Sequence, residues 1–149
     1  MAGKQVPGLD EALQALKGEV TDWELFLSSY PDTSAVFAGA DLSETDLSER
    51  NLSGLDLTGT DLFEARLTSA NLKHAKMDHA ELSGADLSHA GLYKARLTGA
   101  TLTAANLQNA DLTEADLSGS DLRGANLVGA DLTGADLRDA NLTNADLRE

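Results

Sequence analysis

The sequence predicts an all-β solenoid behind a short helical segment, and three observations carry that prediction. Residues 35–149 repeat every five residues: Ala40-Asp41-Leu42-Ser43-Glu44 returns as Ala70-Asn71-Leu72, Ala110-Asp111-Leu112 and Ala145-Asp146-Leu147. With the Leu position called i, 21 of the 23 i slots from Phe37 to Leu147 hold Leu, the exceptions being Phe37 and Met77. Two residues earlier, 18 of 23 slots hold Ala, and the slot between is Asp or Asn in 16 of 23.

Alternate residues of an extended chain point the same way, so i−2 and i share a direction and place small Ala beside large Leu. The other three slots are polar and face solvent. Five is odd, so strict alternation would send the next Ala outward, and the chain must turn once per repeat. Asp or Asn at i−1 suits a corner because its short side chain hydrogen-bonds nearby backbone. Gly at i+2, as at Gly54, Gly59, Gly84, Gly99 and Gly119, relieves the same turn. A chain that turns the same way at every corner is a solenoid whose coils bury their Leu against one another. The period leaves open how many corners make a coil.

This A-(D/N)-L-x-x grammar resembles the pentapeptide repeat family over about three quarters of the chain. The resemblance implies a right-handed quadrilateral β-helix with twenty residues per coil and Leu filling the axis. Twenty-three repeats then make 5.75 coils, a rod about 28 Å long at the spacing of adjacent strands. Each buried Leu contributes roughly 1.5–3 kcal/mol before chain entropy is subtracted.

The expected domains are a tail and helical cap over 1–34 and the β-helix over 35–149. Residues 1–6 read as a loose tail. From Pro7 the spacing becomes helical, with Leu9, Leu13, Leu16 and Val20 on one side and Gly18 placed to end the element. Thr21 is expected to start a second helix, with Glu24 completing a capping box. Trp23, Phe26, Leu27 and Tyr30 give that helix its apolar side, and Pro31 stops it. The pair is expected to cover the open β edge of the first coil, with Phe37 at the junction. At the other end the repeat reaches Glu149 with no helix after it, so Leu142 and Leu147 are expected at an open coil. That favours an end-to-end homodimer through this coil, or a longer parent chain.

Composition narrows the function classes. There is no Cys, which excludes disulfides and thiolate metal sites. No basic-then-apolar leader and no apolar run of membrane length stand in the sequence, so the expectation is a cytoplasmic protein without membrane contact. The formal charge is −14, but eleven of the 25 acidic residues are Asp in slot i−1, where the repeat itself asks for them. Catalysis finds no support: the three His fall on different faces at a twenty-residue coil, the Gly residues follow the five-residue period, and no Ser or Thr has a His at a meaningful spacing. No enzyme activity, metal or cofactor is expected.

Function is sought where the grammar breaks. Six of the seven i−1 slots without Asp or Asn fall between 66 and 101: Arg66, Lys76, Glu81, Gly91, Arg96 and Thr101. This span also holds Met77 and all three His (His74, His79, His89), and residues 65–99 carry five Lys or Arg against three Asp or Glu. At twenty residues per coil Lys73 lies under Tyr93, His74 under Lys94, and a column Asp56-Lys76-Arg96-Asp116 forms two surface ion pairs. The candidate partner-binding residues are Phe63, Lys73, His74, Tyr93 and Lys94, with Phe63 on the face opposite the other four. Asp41, Glu44, Asp61, Glu64 and Glu81 share one face as an acidic strip.

The function expected is a non-catalytic rigid scaffold presenting a flat face, within residues 63–96, to a protein partner of unknown identity, with no direct nucleic-acid binding. The alternative comes from the resemblance: some pentapeptide repeat proteins imitate DNA and protect type II topoisomerases from quinolones, which would make this chain a DNA-mimicking modulator of DNA gyrase or a related topoisomerase through its acidic strip.

Overall fold

The computed structural model describes residues 8–18, 20–31 and 37–149, with residues 20–22 described by their backbone alone. The expectations for residues 1–7 and for the Val20 and Thr21 side chains lie outside the described residues. Two helices, α1 (Leu9–Lys17) and α2 (Val20–Ser29), precede the repeats. Apolar spacing selects the packed side of each: Ala12 and Leu16 are buried in α1, Trp23 and Phe26 in α2. Leu9, expected on that side, is exposed in the first turn of α1. The second helix starts at Val20, so Thr21 lies inside it and the expected boundary moves by one residue.

From Asp41 onward the chain is joined by parallel bridges, and every one pairs a residue with the residue twenty further on, from Asp41↔Asp61 to Asn126↔Asp146. Bridges recur every five residues, so a coil has four sides, the number the period left open. The ladder is regular: the Asp61 amide donates to the Ala40 carbonyl at 2.9 Å and the Leu62 amide to the Glu81 carbonyl at 2.7 Å. It runs through the span from 66 to 101 without a break.

Each corner closes the same way. The amide of residue i+3 donates to the carbonyl of i, as Ala65 does to Leu62 at 3.0 Å. The residue at i+2 is left-handed in every slot from Gly39 to Asn144, nine of them Gly and thirteen not. This is the third-residue geometry of a type II turn, and it explains Gly there. It also accounts for His74, His79 and His89, all three in i+2 slots at φ 57–58°, since His, Asn and Asp tolerate that region better than other side-chain-bearing residues. The i−1 carboxylates serve the corner as expected: the Asp41 Oδ1 accepts the Ser43 amide at 3.0 Å, and the Asp61 Oδ1 accepts that of Phe63 at 3.0 Å.

Inside the coil, Leu and Ala from four sides form one continuous apolar core, with Met77 and Phe37 fully buried in Leu slots. Two buried hydroxyls occupy Ala slots without leaving a polar atom stranded. Thr60 donates to the Leu57 carbonyl, and Ser120 to that of Leu117 at 2.7 Å. Burial thins after Leu127; Leu132, Leu137 and Leu142 are half-buried and Leu147 is 47% exposed. At the other end the Trp23 ring stacks on Phe26 and meets Phe37 edge-on, and its indole N–H donates to the Asn51 carbonyl at 2.7 Å. Arg50, in an Ala slot, sends its guanidinium to the Gly18 carbonyl beyond the end of α1.

Candidate partner-binding faces

The four-sided coil turns sequence spacing into surface position, so residues twenty apart stack on one face. Lys73 and His74 lie one coil from Tyr93 and Lys94. The His74 ring meets the Tyr93 ring edge-on at 5.6 Å, and the Lys94 ammonium sits 5.0 Å from the Tyr93 ring centre. Glu114, one coil further along from Lys94, completes the group: its carboxylate accepts from the Tyr93 hydroxyl at 3.5 Å and pairs with Lys94 at 3.3 Å. Hydrogen bonding to Tyr93 and to Glu114 holds the Lys94 ammonium above the usual lysine range. Sequence reading missed Glu114, although the twenty-residue stacking that aligned His74 with Lys94 also aligns Lys94 with Glu114.

Phe63 does not join this patch. It projects from the opposite side of the coil, 40% exposed, between Asp61 and Glu64. It therefore belongs with the acidic strip, whose members the bridges bring together: Asp41 pairs with Asp61, and Asp61 with Glu81, while Glu44 and Glu64 stand at the corners of the same side. Asp41 is held below the usual carboxylate range by the Ser43 hydroxyl and amide. Beyond Glu81 that side continues with Gly84, Thr101 and Ala104, so the acidic run covers three successive coils.

The basic belt is less free than its composition suggests. Arg66 pairs with Asp46 at 3.3 Å, Lys76 with Asp56 at 4.0 Å, Lys94 with Glu114 at 3.3 Å, and Arg96 with Asp78 at 3.0 Å. The expected second ion pair of the Asp56-Lys76-Arg96-Asp116 column is therefore corrected: Arg96 turns to Asp78 on the adjoining strip instead of Asp116. Asp78 is the nearer and more costly charge to leave alone, being 8% exposed where neighbouring coils hold Thr58 and Thr98. Of the five cations between 65 and 99, Lys73 makes no ion pair among the described residues. Past the belt, Arg123, Arg138 and Arg148 each fork onto the Asp two residues earlier, Asp121, Asp136 and Asp146. An Asp-Leu-Arg run puts both charges on one side of an extended segment, a signal present in the sequence. Among the described residues no group of three His, Cys, Asp or Glu is placed to hold a metal.

The family model for pentapeptide repeats matches the chain in eight copies, over residues 33–68, 65–103, 102–139 and 115–149. No curated protein matches. Among solved structures, the chain is similar to a pentapeptide repeat protein of the Arabidopsis thaliana thylakoid lumen, with 39% identity, 70% of this chain and 72% of that one covered, and a TM-score of 0.67. It is also similar to the pentapeptide repeat protein Rfr23 of the cyanobacterium Cyanothece 51142, at 25% identity over 86% of this chain and 99% of that one, with a TM-score of 0.46. A third likeness is to QnrB1, a plasmid-mediated fluoroquinolone resistance protein, at 21% identity over 76% and 79%, with a TM-score of 0.44. A five-residue grammar that closes four-sided coils, matched by the family model over most of its length, makes this chain a member of the pentapeptide repeat family.

Proposed function

We propose that the protein is a non-catalytic, rigid scaffold that offers one side of its coil to a protein partner. In this reading the rod is a right-handed β-helix of 5.75 coils, α1 and α2 cap its amino end, and it works in the cytoplasm. The observation that carries the proposal is the cluster of Lys73, His74, Tyr93 and Lys94 on one side, with Tyr93 in contact with both His74 and Lys94. An aromatic ring held by its neighbours presents contact area at little cost in conformational entropy, and rings with nearby cations are the usual anchors of protein interfaces.

The second reading, a DNA-mimicking modulator of DNA gyrase or topoisomerase, rests on the acidic strip of Asp41, Glu44, Asp61, Glu64 and Glu81. A DNA mimic needs negative potential along its length, whereas this strip ends after Glu81. An affinity capture from native lysate separates the two, using wild type, a Lys73/Tyr93/Lys94 triple-Ala variant and a variant with Asp41, Glu44, Asp61 and Glu64 changed to their amides. A partner lost only in the triple-Ala variant supports the scaffold. A type II topoisomerase lost only in the amide variant overturns it in favour of the mimic.

A further inference from the structure

Gly91 is the only glycine among the i−1 slots, and it leaves one corner without its side chain. At seventeen corners of the described chain, the amide of residue i+1 donates to the side-chain oxygen of the residue at i−1; Lys73 to Asn71 and Thr113 to Asp111 are the examples directly above and below. At Gly91 no such oxygen exists, and the Tyr93 amide has no hydrogen-bond partner among the described residues. Four other corners lack this bond, at Thr68, Asp78, Thr98 and Thr103, but there a larger side chain (Arg66, Lys76, Arg96 or Thr101) stands in the i−1 slot. Among the described corners, only Gly91 has no side chain of its own at the oxygen's position.

The surroundings of this notch fit an anion. The Lys73 stem lies across it, its Cε 3.6 Å from where a Cβ on Gly91 would stand, and its ammonium has no ion pair among the described residues. Two carboxylates of the following coil, stacked beside this corner, are already engaged: Asp111 accepts the Thr113 amide at 3.1 Å, and Glu114 holds Lys94 and the Tyr93 hydroxyl. We propose that the Gly91 notch receives one aspartate or glutamate side chain of a partner protein, whose carboxylate takes the vacated position, accepts the Tyr93 amide and pairs with Lys73. This deepens the scaffold reading and rests on it, by naming the group that the Lys73–Tyr93 side recognises. A single carboxylate in a neutral segment fits better than an acidic run, because Asp111, Glu114 and the net charge of −14 oppose further negative charge.

The test uses Gly91→Asp, which should fill the notch without harming the fold. Gly91 is not left-handed, its Cβ would meet Lys73 at ordinary contact distance, and Asp is the commonest residue of that slot. The full chain, labelled with nitrogen-15, is titrated with sodium acetate against sodium chloride at equal ionic strength. It is then titrated with an alanine-based peptide carrying one central Asp, and with its Asn counterpart. The expected result is a saturating shift of the Tyr93 amide with acetate and the Asp peptide, absent with chloride and the Asn peptide, and abolished in Gly91→Asp and in Lys73→Ala. Gly91→Asp should also melt at a higher temperature than wild type. No saturating shift at Tyr93 in wild type, or the same shift in Gly91→Asp, overturns the notch. A peptide that moves His74 and Lys94 but leaves the Tyr93 amide still overturns the notch alone and leaves the scaffold side in place; a partner whose capture survives the triple-Ala change removes both.

Discussion

The indole N–H of Trp23 donates to the Asn51 carbonyl at 2.7 Å, a position that in the following coil is filled from within the ladder, where the Asn71 carbonyl accepts the Leu52 amide at 2.8 Å. A side chain of α2 thus gives the Asn51 carbonyl a donor of the kind that the ladder gives its counterpart Asn71. Trp23→Phe keeps an aromatic ring against Phe26 and Phe37 but removes the donor. It should cost about 1 kcal/mol, whereas Trp23→Ala, which also empties the space, should cost about 3–5 kcal/mol. Denaturant melts give both values, and hydrogen exchange of the Leu42, Leu47 and Leu52 amides in Trp23→Phe should rise before that of Leu102 or Leu107. Uniform exchange along the coil would refute the local role.

Left-handed corners make a second prediction with opposite signs at two sites. Ala104 sits at φ 55° and is exposed, and an L side chain there costs about 1–2 kcal/mol. Ala104→Gly removes that cost and adds unfolded-chain entropy, for a net gain of about 0.5–1 kcal/mol. Gly99→Ala is the reverse: at φ 63° it introduces strain, and its Cβ would stand 2.7 Å from the His79 Nδ1. It should lose more than Ala104→Gly gains, and His79→Ala made first should return part of the loss. Thermal melts of the four proteins decide it.

The architecture was legible because the repeat states the same local demand at every slot. Leu at i, Ala at i−2 and Asp or Asn at i−1 each recur often enough for one misfit, such as Thr60 or Ser120, to be absorbed by a bond to its own corner carbonyl. The number of sides was not legible in the period itself and came from the family resemblance, because it depends on the angle at each corner and on which coil pairs with which. The placing of surface side chains was half legible. Stacking twenty apart placed Lys73, His74, Tyr93 and Lys94 together, and it placed Phe63 on the far side. It failed for Arg96, whose long side chain turns to Asp78 in the preceding coil, away from the aligned Asp116 of the following one. The meaning of the three histidines also escaped composition: the span that holds them looked basic and special, while their φ values show a backbone preference shared with every i+2 residue.

Acid should weaken the protein although its net charge is strongly negative. Hydrogen bonds from Ser48 to Asp46, from Thr58 to Asp56 and from Ser118 to Asp116 are the main causes that hold these carboxyls below the usual carboxylate range. A group whose folded value is depressed adds stability above its unfolded value, and that stability is lost as pH falls through the folded value. Melting temperature should therefore be level from neutral pH to about 5 and drop below about 4, where unfolded aspartates begin to protonate. Relief of self-repulsion works the other way, but the net depression of these groups means that the local bonds prevail. A melting temperature that holds or rises down to pH 2 would show that repulsion prevails instead.

Asp78 is the corner residue most dependent on a partner. Its Oδ2 meets Arg96 at 3.0 Å, its Oδ1 is buried without a hydrogen bond among the described residues, and the Ser/Thr slots above and below it are Thr58 and Thr98. Arg96→Ala strands the carboxylate; because the Arg96 side chain is itself 57% exposed, solvent moderates the cost to about 1–2 kcal/mol. Asp78→Thr gives the column its usual residue and should be neutral, or stabilising by up to about 1 kcal/mol. The double variant should then be as stable as Asp78→Thr alone, since Arg96 makes no other ion pair among the described residues. Denaturant melts of the four proteins close the cycle: a coupling of at least 1 kcal/mol is expected, and costs that simply add would mean that Arg96 stabilises the coil by some contact other than Asp78.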